Sequence, residues 1–122
     1  GVQALVTNTI GARNTSSGIN SMYYNTIGND NTAYGVQALQ SNTTGNNNTA
    51  IGKSALFGNI TGSNNTAIGN GADVLSAGLT NATAIGNGAI VSADNTIKLG
   101  NAAVTSVVTS GTISATGFCI PP

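Results

Sequence analysis

The sequence predicts an all-β fold, a parallel β-solenoid or β-roll of about six 17-residue coils, and three observations lead there. Glycines stand at Gly1, Gly18, Gly35, Gly52, Gly69 and Gly86, each 17 residues after the last, and then at Gly100, 14 further on. With roughly one residue in seven being glycine, that regularity has a chance probability on the order of 10⁻⁴ per starting point, so the chain is an internal repeat. The residues before each glycine recur as Thr-Ala-Ile or close variants, a pattern that alternates as a strand does. Between them lie segments too short for helices, broken by Gly and Asn.

Each position of the repeat has its own preference. Gly1-Val2-Gln3-Ala4-Leu5 returns at residues 35–39, because 34 residues are two periods. Three before the glycine stand Thr15, Thr32, Thr49, Thr66 and Thr83; two before, Ser16, Ala33, Ala50, Ala67 and Ala84; one before, Ser17, Tyr34, Ile51, Ile68 and Ile85. Four after come Leu5, Met22, Leu39 and Leu56, then Asp73 and Ile90. A second glycine, at Gly11, Gly28, Gly45, Gly62 and, one residue early, Gly78, closes the other half of a unit, with Asn clustered at the turns. Each unit is therefore two short segments joined by two turns. Stacked units place equivalent residues about 4.8 Å apart, so Asn and Thr ladders are expected to bond along the stack.

Along Thr66-Ala67-Ile68-Gly69, Thr and Ile share one face, Ala and Gly the other. The expectation is that the bulky face fills the coil, with Ile51, Ile68, Ile85, Leu39, Leu56 and Tyr34 as its core. The bare face, Ala33, Ala50, Ala67 and Ala84 with Gly35, Gly52, Gly69 and Gly86, is then left for close approach by another chain. Such a coil has about two large apolar side chains per unit, little against the entropy of ordering 17 backbones. Small cores of this sort call for metals, disulfides or oligomers. Carboxylate clusters and paired cysteines are lacking, since Cys119 is alone and can pair only with its copy in another chain, so self-association is expected.

Composition narrows the function. Charged residues are 5% of the chain, Arg13, Lys53 and Lys98 against Asp30, Asp73 and Asp94, with a net charge of zero. That leaves no electrostatic footprint for nucleic acid or an anionic membrane. No apolar run approaches the roughly 18 residues of a membrane helix, so no membrane insertion is expected in this segment. Beginning at Gly1 without Met and ending at Pro121-Pro122, the sequence reads as a piece of something longer. Without His or Glu, and with three Asp at different positions of the repeat, it offers no catalytic set, no metal set and no cofactor site. Asp94 and Lys98 are close enough in sequence to pair.

Asn64-Asn65-Thr66-Ala67-Ile68-Gly69-Asn70-Gly71-Ala72 and Asn81-Ala82-Thr83-Ala84-Ile85-Gly86-Asn87-Gly88-Ala89 closely resemble the head repeats of trimeric autotransporter adhesins and related repeats in bacteriophage tail fibres. The resemblance covers residues 1 to about 100. It implies a left-handed β-roll, three chains about one axis, and display on a cell or virion surface to bind other surfaces; the left hand is implied by the resemblance alone, against the usual crossover rule. Residues 95–117 resemble the segment that follows such repeats. Adhesin heads typically have shorter coils, so the extra residues are expected to enlarge a surface turn. The family's membrane anchor, stalk and self-cleaving chaperone domain have no counterpart in this segment.

The resulting division is a repeat domain at 1–100 and a β-rich neck or connecting segment at 101–122. The expected function is an extracellular structural or adhesive fibre module, without catalysis, whose partners are its own copies and a host-surface protein or glycan. An alternative is a homopolymeric filament joined end to end through its open coils and the stretch from Val104 to Phe118. A third reading, an ice-binding solenoid, is suggested by the Thr columns. It is opposed by Thr66 sharing a face with Ile68, expected inside, and by Ala rather than a second outward Thr beside it. Tyr23, Tyr24 and Phe57 are candidate surface ligand contacts that could stack on sugar rings, against the plainer reading that the tyrosines cap an irregular early coil. Asn14, Asn42, Asn47, Asn59, Asn64 and Asn81 begin Asn-x-Ser/Thr triplets, a number near chance for this composition, and stacked glycans would crowd at Asn47, Asn64 and Asn81.

Overall fold

A computed structural model describes residues 1–117. Cys119, and the end of the stretch from Val104 to Phe118, lie outside the described residues. The described residues form a parallel β-solenoid, with no helix among them. Its strands are β1 (Thr15–Ser17), β2 (Thr32–Tyr34), β3 (Thr49–Ile51), β4 (Thr66–Ile68), β5 (Asp73–Val74), β6 (Thr83–Ile85), β7 (Ile90–Val91) and β8 (Ile97–Leu99). Six of them make one sheet in the order β1-β2-β3-β4-β6-β8, and β5 and β7 pair separately.

Registry follows the repeat. Thr32 pairs with Thr49, Ala33 with Ala50 and Tyr34 with Ile51, and the same columns run through β4 and β6. The last step, Thr83 to Ile97, is the 14-residue one. Outside the strands the backbone also bonds from coil to coil: Leu39 N–H donates to the Ala55 carbonyl at 2.8 Å and Gly52 N–H to the Tyr34 carbonyl at 2.8 Å. Every coil is thus hydrogen-bonded to its neighbours around most of its perimeter, which satisfies backbone groups that three-residue strands alone would leave unpaired.

Closing so short a loop requires left-handed backbone at fixed places. Asn47, Asn64 and Asn81 take φ of 56°, 60° and 55° just before their strands, where Asn is tolerated best among non-glycine residues. Leu39 and Leu56 take φ of 53° and 50°, a conformation costing on the order of 1–3 kcal/mol that their complete burial offsets. Gly52, at φ 128°, sits where only glycine fits: an added Cβ would lie 2.5 Å from the Gly69 carbonyl oxygen. The 17-residue glycine column is therefore the line along which successive coils of one chain touch.

That geometry reverses the expected faces. Ala33, Ala50, Ala67 and Ala84 are buried inside the coil, so they are no surface for another chain. The close approach at Gly35, Gly52, Gly69 and Gly86 is made by the next coil of the same chain. Of the expected core, Leu39 and Leu56 are buried, but Tyr34, Ile51, Ile68 and Ile85 are 59%, 44%, 40% and 39% exposed. The cause is width. Ser16, in the Ala column, donates across the interior to the Ser21 hydroxyl at 2.8 Å, so one small side chain from each wall already fills the gap between them. Ala38, Ala55, Ala72 and Ala89 face this gap from the other wall, and Ile does not fit between them.

Elsewhere the interior is amide. Asn25, Asn31, Asn42, Asn48, Asn59 and Asn65 are buried. In one ladder the Asn42 Nδ2 donates to Asn25 Oδ1 at 2.8 Å and Asn59 Nδ2 to Asn42 Oδ1 at 3.1 Å. In the other, the backbone N–H of Asn48 donates to Asn31 Oδ1 and that of Asn65 to Asn48 Oδ1, both at 2.9 Å. The two ladders meet on shared carbonyls: Gly45 O accepts from Asn31 and from Asn42, at 2.8 and 3.0 Å. The expected Asn ladders therefore exist and lie inside. Beyond Asn65 the same column continues as Ala82, and Val74 and Val91 are buried where the β5–β7 pair forms, so the last coils have an aliphatic interior.

Residues 101–117 contain no strand and are mostly exposed, which corrects the expected β-rich extension for its described part. Lys98 occupies the buried Ala column in β8, and no Thr-Ala-Ile unit follows to continue the stack. Val104 instead packs against Gly100.

Asn42→Ala removes one rung of the inner ladder and strands its neighbours' polar atoms, at about 1–3 kcal/mol for each orphaned group. The expected loss in urea unfolding is about 2–4 kcal/mol, against less than about 0.5 kcal/mol for Thr44→Ala, an exposed residue with ordinary backbone. Ala67→Leu has no room inside the coil and is expected to cost at least about 1–3 kcal/mol by overpacking.

Candidate functional site

Because Ala points inward, the outer face of the six-stranded sheet is built from the alternate residues. One column is Thr15, Thr32, Thr49, Thr66 and Thr83; beside it runs Ser17, Tyr34, Ile51, Ile68, Ile85 and Leu99. Ile19 and Val36, just past the glycine, extend the exposed apolar surface at its start. On another side of the coil a threonine column is occupied: the hydroxyls of Thr9, Thr26 and Thr43 each donate to a carbonyl 17 residues on, at 2.9, 2.9 and 3.1 Å. Among the described residues the strand threonines make no such bond; Thr15 is exposed and Thr32, Thr49, Thr66 and Thr83 are half-buried. The charges that flank the face from β1 to β4 are few: Lys53, two residues past β3, and the paired Arg13 and Asp30, two residues before β1 and β2. The result is a regular, nearly uncharged stripe with hydroxyls on one side and branched apolar groups on the other. Contiguous exposed apolar stripes mark interaction surfaces.

The other candidate residues lie apart from it. Tyr23 and Tyr24 meet edge to face, ring centres 4.7 Å apart, and Tyr24 is exposed, as is Phe57 two coils on. Of the triplet asparagines, Asn42 and Asn59 are buried ladder rungs, so neither is a glycan acceptor in the folded chain. Asn14 is half-buried and donates to Gly28 O at 2.7 Å. Asn47, Asn64 and Asn81 are exposed on the turn before the strands.

The carboxylates do not converge, and among the described residues no group of three or more His, Cys, Asp or Glu comes together and no cavity is found. Asp30 pairs with Arg13 one coil away, Nε to Oδ1 at 2.6 Å and Nη2 to Oδ2 at 2.8 Å, and this guanidinium holds its carboxyl below the usual range. Asp94 accepts from Thr80 N–H at 2.8 Å; the ion pair formed among the described residues is that of Arg13, not one between Asp94 and Lys98. Asp73 replaces Leu in its column and accepts from Gly58 N–H at 2.9 Å and Val74 N–H at 2.8 Å. Burial pushes its carboxyl up in spite of these bonds.

Neither the outward Ile column nor the buried amides were placed by sequence reasoning. A signal for the second existed: Asn at 25, 42 and 59 and at 31, 48 and 65, each set at the 17-residue interval, in positions where a surface turn tolerates many residues. No protein-family profile, curated protein or solved structure matches the chain.

The Asp73 carboxyl is raised in the folded state above its value of about 3.9 in an unfolded chain. Its contribution to stability is therefore present below about pH 4 and is lost as pH rises through the folded-state value. Asp73→Asn is expected to raise the melting temperature at pH 7 and to narrow the difference from wild type on acidification. Thermal melts of both proteins across the acid range check this.

Proposed function

We propose that this chain is an extracellular structural or adhesive fibre module in which copies pack through the outward Thr/Ile sheet face. The observation that carries the reading is the exposed column Tyr34, Ile51, Ile68, Ile85 and Leu99, fixed in register and almost free of charge. A single roll leaves this surface in water. Covering it with a second copy removes several large apolar side chains from solvent, each worth about 1.5–3 kcal/mol when fully buried. Rods of stacked coils also suit a load-bearing shaft, because every coil is tied to the next by many parallel hydrogen bonds. Three chains about one axis and left-handed winding come from the resemblance to trimeric autotransporter adhesin heads and tail-fibre repeats.

The seam is thus the Ile column rather than the Ala column. Ile68→Asp places a charge in it without touching the coil interior. The wild type is expected to sediment as a discrete particle of three chains and the variant as a single chain, with the same far-ultraviolet spectrum. A wild type that sediments as one chain at micromolar concentration refutes the seam, and indefinite fibrils in negative stain support the end-to-end filament instead.

A second reading gains from one observation. Thr and Ile share the outer face, so the objection that the threonines stand beside buried residues no longer applies, and a regular, nearly uncharged array of hydroxyls and apolar groups is the kind of surface an ice-binding solenoid needs. The two readings use the same face and exclude each other. Thermal hysteresis in a dilute solution of single chains favours ice; its absence, with trimers present, favours the fibre.

A further inference from the structure

We propose that a second surface of the coil, past the turn that follows the sheet face, binds a neutral β-1,4-linked glycan chain laid along the solenoid axis. The residues are Val6, Tyr23, Gln40 and Phe57, one column at 17-residue intervals, with Tyr24 beside Tyr23. The column is held in line by the stack itself: Thr7 N–H donates to Tyr23 O at 3.2 Å and Tyr24 N–H to Gln40 O at 3.0 Å. Tyr24 and Phe57 are exposed, although the chain has five aromatic residues in all, three Tyr and two Phe. Three of the five therefore gather within three successive coils on one wall.

Two features distinguish this wall from a generic apolar patch. The first is spacing. Tyr23 and Phe57 stand two coils apart, roughly 10 Å, with Gln40 midway. Aromatic rings stack on the C–H faces of pyranoses, and an extended β-1,4 chain turns the same face outward at every second ring. The column thus offers an aromatic contact at alternate sugars and an amide between them. The second is the amide. Gln40 Oε1 is covered and has no hydrogen-bond partner in the protein. An unpaired acceptor of that kind costs about 1–3 kcal/mol, and rotation of the amide toward ligand hydroxyls relieves it. No charged residue belongs to the column, which favours neutral sugars over sialylated or sulfated ones. Beyond Phe57 the column turns inward as Val74, so the surface ends there.

The inference stands apart from the packing of copies, since it uses none of the sheet-face residues. The test is calorimetric titration of the assembled protein with chitohexaose and with cellohexaose. At least one is expected to bind, with Phe57→Ala and Tyr24→Ala each weakening it at least about tenfold and Gln40→Ala severalfold. Both aromatic residues are exposed, so sedimentation mass and melting temperature should stay as in wild type. If neither oligosaccharide binds, or if binding survives both aromatic substitutions unchanged, the assignment is wrong, whatever the oligomeric state.

Discussion

The constraint on which everything else depends is that identical residues must lie on top of one another. A 17-residue coil has almost no interior of its own, and its stability comes from bonds made along the stack. The asparagine ladders are the clearest case. An amide has both donors and an acceptor, so one Asn can receive from the coil on one side and give to the coil on the other while also holding a turn carbonyl. Asn42 does all three. Buried polar groups are costly when half satisfied and specific when fully satisfied. A column of asparagines fixes the register in a way that a column of leucines would not.

From this follows the distribution of side chains between inside and outside. Amides and small residues fill the narrow coil, so the large branched residues of the strands have nowhere to go but out. Tyr34, Ile51, Ile68 and Ile85 then form a surface whose order is set by the interior they are excluded from. The possible uses of the outer face, as a seam between copies or as a regular array toward another phase, are consequences of the interior's thinness. Change of interior also marks the end of the regular part: where Asn gives way to Ala82 and Leu to Asp73, the second short sheet forms and the repeat shortens.

The period, the parallel pairing, the Thr-Ala-Ile strands and the Asn ladders were legible in the sequence, because stacking demands strict recurrence and recurrence is visible in letters; the β5–β7 pair and the strandless stretch after Gly100 were not. The facing of the strands was not. Thr-Ala-Ile alternation states that Ala and Ile point opposite ways, but which way is inward depends on the distance between walls. Hydrophobicity argues for Ile inside, and the Ser16–Ser21 bond shows why volume prevails. In the same way, Asn42 and Asn47 look alike in sequence, both in Asn-rich turns, yet one is a buried rung and the other an exposed left-handed corner. Only their separate columns distinguish them.

Side-chain amide hydrogen exchange measures that difference directly. If an amide-filled interior holds the coils in register, the Nδ2 protons of Asn25, Asn42, Asn48 and Asn59 exchange many times more slowly than those of Asn47 and Asn64 under native conditions. Equal and rapid exchange in both groups would mean that the asparagines face water, and the inside-out arrangement of the strands would fall with them.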